Sequence, residues 1–221
     1  MGRITICQAA DDLYAKEMAC TRRRAHGMGY EHFCKELRGT LPSDFKRSPF
    51  LRCTFKPKVI KEALLSLLFA KRPRTLVYLD ADVALAKPLE IEDQFNFDVG
   101  VVLRPSDEIA DNAHHPEVGL INTGVLLFNV GALPFLDLWI EVTGDDKYEQ
   151  QTFNELLVGN LGEAPDRVIG ILPVGQHKIR TRIFPRAYHA YAPSPDAYLV
   201  HFKGGYGDKI HQFCGKECDE G

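Results

Sequence analysis

The clearest apolar pattern in the chain is the run from Leu76 to Leu79, which reads as a buried strand and ends in Asp80-Ala81-Asp82. Similar runs at residues 3–7, 97–103, 120–130, 168–172 and 197–202 each predict a strand. Between them the apolar spacing changes to the helical period. Residues 14 to about 26, 58 to about 70, 133–142 and a segment from about 148 predict helices. Ile60, Leu64, Leu67 and Leu68 form the apolar stripe of the second helix, and Pro57 suits its first turn. Asp145-Asp146 stand where they would cap the last. Residues 30–37 fit a strand or a short helix equally. Residues 40–50, with Pro42 and Pro49, and residues 104–117 and 188–195 read as loops. Strands alternating with helices over 221 residues predict a single α/β domain, residues 1–221, with a mostly parallel central sheet flanked by helices.

Composition narrows the function classes. Hydrophobic residues at 45% and charged residues at 26% are those of an ordinary globular chain. A net charge of -3 gives no electrostatic case for nucleic acid as a partner. The short clusters Arg22-Arg23-Arg24 and Lys71-Arg72-Pro73-Arg74 read as solvated surface. No apolar stretch approaches a membrane span and the start does not resemble a signal peptide, so no membrane span and a cytoplasmic location are expected. Cys7, Cys20, Cys34, Cys53, Cys214 and Cys218 lack paired C-x-x-C spacing and read as free thiols, with Cys214 and Cys218 near enough to pair or bind metal.

The chemistry-bearing residues begin with the aspartates. In an extended chain Asp80 and Asp82 point the same way. Two carboxylates so close need a positive partner, and a divalent cation with oxygen ligands supplies one. The C-terminal end of an apolar strand is also where open α/β sheets bind ligands. In the loop after the first strand, Ala10 permits close backbone approach, Asp11 or Asp12 can accept a base N–H or cap the helix, and Tyr14 offers a ring for stacking. Lys56 and Lys58 open the second helix and could reach a diphosphate. Asn122 and Gly124 interrupt an apolar run, as a strand does beside a ligand. His201 ends the last strand, ahead of Lys203-Gly204-Gly205 and Lys209, which suits a metal ligand beside a phosphate cradle. His114 and His115 face opposite sides if extended and read as loop residues.

Five stretches, taken in order, resemble the nucleotide-sugar glycosyltransferases with the GT-A fold, nearest to the galactosyltransferase and glycogenin type, glycosyltransferase family 8. Ala10-Asp11-Asp12-x-Tyr14 is similar to that family's uracil-binding loop, and Leu76 to Val83 to its D-x-D strand. Ile121 to Asn129, Glu149 to Asn154, and His201-x-x-Gly204 with a following lysine are similar to its three later motifs. The closing motif here has no Pro-Trp, and Lys209 lies two positions farther from His201 than the family pattern asks, with Lys203 as the substitute.

The resemblance implies a GT-A fold and a hexosyltransferase that uses a UDP-sugar and Mn²⁺ or Mg²⁺. Asp80, Asp82 and His201 would hold the metal. Ala10, Asp11, Asp12, Tyr14, Lys58, Asp80, Asn122, Lys203, Gly204 and Lys209 would hold the donor. Gln150 would face the reacting carbon, with Glu149 as the alternative catalytic group. The partners implied are the nucleotide sugar and a carbohydrate or glycoprotein acceptor, with retention of configuration expected. Two other classes fit the aspartate pair: a haloacid-dehalogenase-like phosphatase with Asp80 as nucleophile, and a non-catalytic nucleotide-sugar or glycan-binding module.

Overall fold

A computed structural model describes residues 4–10, 15–36, 55–71, 74–91, 96–111, 119–144, 147–158, 169–202 and 207–214. Nine strands are described: β1 (Ile4–Ala10), β2 (Glu31–Glu36), β3 (Thr75–Leu79), β4 (Val83–Leu85), β5 (Val99–Val101), β6 (Val125–Phe128), β7 (Ile169–Val174), β8 (His177–Ile183) and β9 (Leu199–His201). The α-helices are α1 (Ala15–Gly27), α2 (Phe55–Phe69), α3 (Ser106–Asp111), α4 (Leu133–Thr143), α5 (Glu149–Leu157) and α6 (Gly207–Cys214).

Seven strands form one sheet in the order β2-β1-β3-β6-β5-β8-β7, and β4 pairs with β9 in a separate ladder. The pairings β1–β2, β1–β3 and β5–β8 are parallel, while β3–β6, β5–β6 and β7–β8 are antiparallel. β2, β1, β3, β5 and β8 therefore share one direction and only β6 and β7 oppose it. The sheet is mostly parallel, as the alternating pattern predicts.

Side-chain alternation sorts the core into two faces. Leu76 and Tyr78 of β3, with Leu126 and Phe128 of β6, pack against α2, α4 and α5 through Ile60, Leu64, Phe135, Trp139 and Phe153. Val77, Leu79, Val125 and Leu127 point the other way, onto Val83, Leu85 and Leu199 of the β4–β9 ladder. The far side of that ladder, Ala84 and Val200, meets α1 and α6 through Cys20, Ile210 and Cys214. The small ladder is thus a layer between the main sheet and two helices.

Several elements differ from the sequence reading. Within the ambiguous segment, Glu31–Glu36 form a strand, β2, at the sheet edge. The run 120–130 is a strand only from Val125; residues 122–124 turn into it. β8 was missed because its charged residues mask an alternation in which Ile179, Thr181 and Ile183 are buried. The N-cap of α5 is Tyr148, and Asp145-Asp146 lie outside the described residues. Cys20 and Cys214 form a disulfide joining α1 to α6, which replaces the free-thiol expectation for these two; Cys7 and Cys34 form no disulfide. No helix among the described residues is long and apolar enough to cross a membrane.

Candidate active site

The site gathers at the end of β3. Asp80 through Asp82 are a turn, closed by Val83 N–H donating to the Asp80 carbonyl at 3.1 Å, so the two carboxylates are brought together by a bend and not by strand alternation. The turn is pinned twice: Asp80 N–H donates to the Gly124 carbonyl, and Phe202 N–H donates to the Asp82 carbonyl, each at 2.8 Å. The second bond continues the β4–β9 register, in which Val83 faces His201. One ligand atom from each of Asp80, Asp82 and His201 lies within 4.8 Å of the other two, and His201 Nε2 is 3.1 Å from Asp82 Oδ1. Two partly exposed carboxylates and one buried imidazole form a mixed oxygen and nitrogen donor set that could hold a divalent cation.

Gly124 must be small here. A Cβ on it would stand 2.7 Å from His201 Cε1 and 3.1 Å from Asp80 Oδ2. Asn122, predicted as a donor ligand, is buried beside this group; its Oδ1 accepts from Gly124 N–H at 2.8 Å, and its amide is hydrogen-bonded to Tyr191.

Behind the aspartates sits a buried lysine. Lys56 Nζ lies 3.0 Å from Asp80 Oδ1 and 2.8 Å from Glu149 Oε1, and donates to Thr123 Oγ1 at 3.0 Å. Burial alone would lower its pKa, but the charges of Asp80, Glu149 and Tyr78 and the bond to Glu149 outweigh it and hold the ammonium well above the usual lysine value. Glu149, only 2% exposed, is pushed up by burial, an effect opposed by Lys56 and by the Thr123 hydroxyl. Lys56 is thus an internal counter-ion to both carboxylates. Lys58, two positions on, is exposed, with its ammonium 5.7 Å from the Phe55 ring centroid.

Helix α5 presents Glu149 and Gln150 because Asn154 staples it to the turn. Asn154 Oδ1 accepts from Ile121 N–H at 2.8 Å, and its Nδ2 donates to the Ile121 carbonyl at 2.9 Å. Trp139 Nε1 donates to the Glu149 carbonyl at 2.9 Å. Gln150 Oε1 accepts from Thr123 N–H and from Arg104 Nη2, both at 3.2 Å. Arg104 in turn pairs with Glu108 of α3, and Tyr191 is hydrogen-bonded to Glu108 as well as Asn122. Burial and the Glu108 charge push the Tyr191 phenol up, so it stays protonated.

Asp80, Asp82, Asn122, Glu149, Gln150 and His201 therefore converge. Lys209 is exposed on α6. Asp11, Asp12, Tyr14, Lys203 and Gly204 lie outside the described residues, and of Ala10 only the backbone is described, at the end of β1. Sequence reading missed Thr123, Arg104, His189 and Tyr191. The polar interruption at 122–124 was a signal for Thr123; the others sit in stretches read as loop.

No family model matches the sequence, and no curated protein does. Solved structures do match in fold. One is a glycosyltransferase involved in glycosylation of the major capsid of PBCV-1, 18% identical, with a TM-score of 0.62, covering 95% of this chain and 98% of that one. A second is the galactosyltransferase LgtC in complex with donor and acceptor sugar analogs, 15% identical, TM-score 0.53, covering 98% and 96%. A third is the glycosyltransferase GlyE of Streptococcus pneumoniae TIGR4, 13% identical, TM-score 0.52, covering 97% of this chain and 60% of that one. At such identities the likeness is one of fold. The chain has the GT-A glycosyltransferase fold over nearly its whole length, in agreement with the resemblance its motifs carry.

Proposed function

We propose that this chain is a metal-dependent glycosyltransferase that moves a hexosyl group from a UDP-sugar to a carbohydrate or glycoprotein hydroxyl with retention. The observation that carries the reading is the convergence of Asp80, Asp82 and His201 on one point, with Glu149 and Gln150 set behind them by a separate helix. Mn²⁺ or Mg²⁺ held there would supply Lewis-acid neutralisation of the leaving diphosphate.

The residues of the chain divide the remaining work. Ala10 ends β1, and beyond it in the sequence Asp11 or Asp12 and Tyr14 hold the base. Asp80 also takes the ribose, and Lys203 or Lys209, with Gly204, takes the phosphates. Asn122 and Glu149 position the donor sugar. Gln150 faces its reacting carbon as a polar support: its Oε1 already accepts two hydrogen bonds, and an amide is a poor nucleophile, which favours departure and attack on the same face over a covalent intermediate. Glu149 is less suited to attack, since Lys56 and Thr123 occupy its carboxylate in a dry environment.

The test is to incubate the protein with Mn²⁺ and a panel of nucleotide sugars. Slow UDP release supports the reading and names the donor. Phosphatase activity alone indicates the dehalogenase-like alternative, and binding without turnover indicates a binding module. Gln150→Ala and Glu149→Ala, assayed separately, check the placement: full activity in both overturns it.

A further inference from the structure

The mechanism above leaves one buried imidazole without a role. His189 is 3% exposed, and its Nε2 lies 2.8 Å from His201 Nδ1, with the two ring planes 14° apart. The approach is built into the backbone. After the 3₁₀ turn Arg186–Tyr188, residues 187–190 run beside β9: Tyr198 N–H donates to the Ala187 carbonyl at 2.7 Å, Ala190 N–H to the Leu199 carbonyl at 3.0 Å, and His201 N–H to the Ala190 carbonyl at 2.8 Å. Ala190 pairs with Val200 as an isolated parallel bridge, and Tyr188 stacks on Tyr198 with ring centroids 4.6 Å apart. His189 has little freedom to move away from His201.

We propose that His189 is a positioning residue for the metal ligand His201, selecting the tautomer and ring orientation that aim the Nε2 lone pair at the space shared with Asp80 and Asp82. The inference rests on the metal-site reading of those three residues. His201 Nε2 is the nitrogen beside Asp82; with its lone pair given to a cation there, the ring proton sits on Nδ1, where it needs a buried acceptor. His189 Nε2 is that acceptor. His189 is buried behind His201 and acts through that ring. A carboxylate in its place would add a further negative charge to a site that already holds two; a neutral imidazole fixes His201 without doing so.

The experiment is a titration of Mn²⁺ alone, by calorimetry or electron paramagnetic resonance, into wild type, His189→Phe and His189→Gln, each also melted in chelator. His189→Phe keeps the ring volume and removes the acceptor, and it is expected to bind Mn²⁺ about 10–100-fold more weakly. His189→Gln offers an amide oxygen to the same proton and is expected to recover most of that loss. Should the Phe variant fail to fold, His189→Leu, which also lacks an acceptor, takes its place under the same expectations. Unchanged Mn²⁺ affinity in His189→Phe overturns the proposal, as does equal weakening by Phe and Gln, whatever either does to the melt in chelator. Absence of Mn²⁺ binding by the wild type overturns the metal-site reading itself, an outcome distinct from the other two.

Discussion

Replacing Lys56 by methionine isolates the counter-ion at the heart of the site. The side chain keeps most of its length and loses its charge. Glu149 is then left 2% exposed with the Thr123 hydroxyl as its nearest donor, and Asp80 loses a partner 3.0 Å away. Removing one member of a buried ion pair costs about 3–5 kcal/mol, because the remaining charge stays desolvated. At a urea m-value of about 3 kcal/mol/M, the unfolding midpoint should fall by about 1–1.7 M. The measurement belongs in chelator, where no bound cation can take over the ammonium's place. The explanation makes a second demand: Lys56→Met combined with Glu149→Gln removes the stranded charge and should recover most of the loss, a coupling read from the double-mutant cycle. A single variant with the wild-type midpoint, or a double variant no better than the single, refutes the reasoning.

Other outcomes follow from the same structure. Gly124→Ala drives a methyl against His201 and Asp80 and should weaken Mn²⁺ binding and any transferase activity more than it lowers the melting temperature in chelator. Cys20→Ser removes a crosslink spanning 194 residues; chain entropy alone sets its stabilisation at about 5 kcal/mol and observed losses run about 2–5 kcal/mol, so the variant and the reduced wild type should melt alike and well below the oxidised protein. His32 is pulled down to about 4, first by burial and then by the charges of His26 and Arg22. The unfolded chain binds that proton near pH 6.5 and the folded chain only near 4. The stability from His32 is therefore present above pH 6.5 and lost as pH falls toward 4, by about 3 kcal/mol at 1.36 kcal/mol per pH unit. His32→Asn should flatten that acid limb in denaturant titrations across pH 4 to 7.

What the sequence could disclose was governed by how local each signal is. The strand at residues 75–79 and helices α2 and α4 follow from periodicity, since their burial repeats along the chain itself. Asp80, Asp82 and His201 were legible because strand ends carry ligands in such sheets and the motif order resembled a family. Lys56 reads, beside Lys58, as a helix lysine that could reach a diphosphate, and nothing local marks it as buried. Its burial depends on Asp80 and Glu149, which the fold brings from β3 and α5, and no local pattern encodes that. The Cys20–Cys214 pair has no spacing signature for the same reason. β4 has three residues and exists only because β9 pairs with it. His189 and Tyr191 fell in a proline-broken loop, where periodicity has nothing to report. Their place is set by backbone bonds to β9.

The β4–β9 ladder also gives the site a position in time. Asp82 precedes β4 and His201 closes β9, so the third member of the proposed metal group is synthesised long after the first two. A nascent chain that has delivered Asp80 and Asp82 holds a pair of carboxylates with no imidazole to complete them. Contacts between such distant segments form late, once loop closure has been met by the rest of the fold. On the proposed reading, metal capture is therefore a feature of the finished chain, a seal applied after the main sheet and its helices are in place. A truncation that stops before β9 keeps the D-x-D motif intact in sequence and loses the site in space.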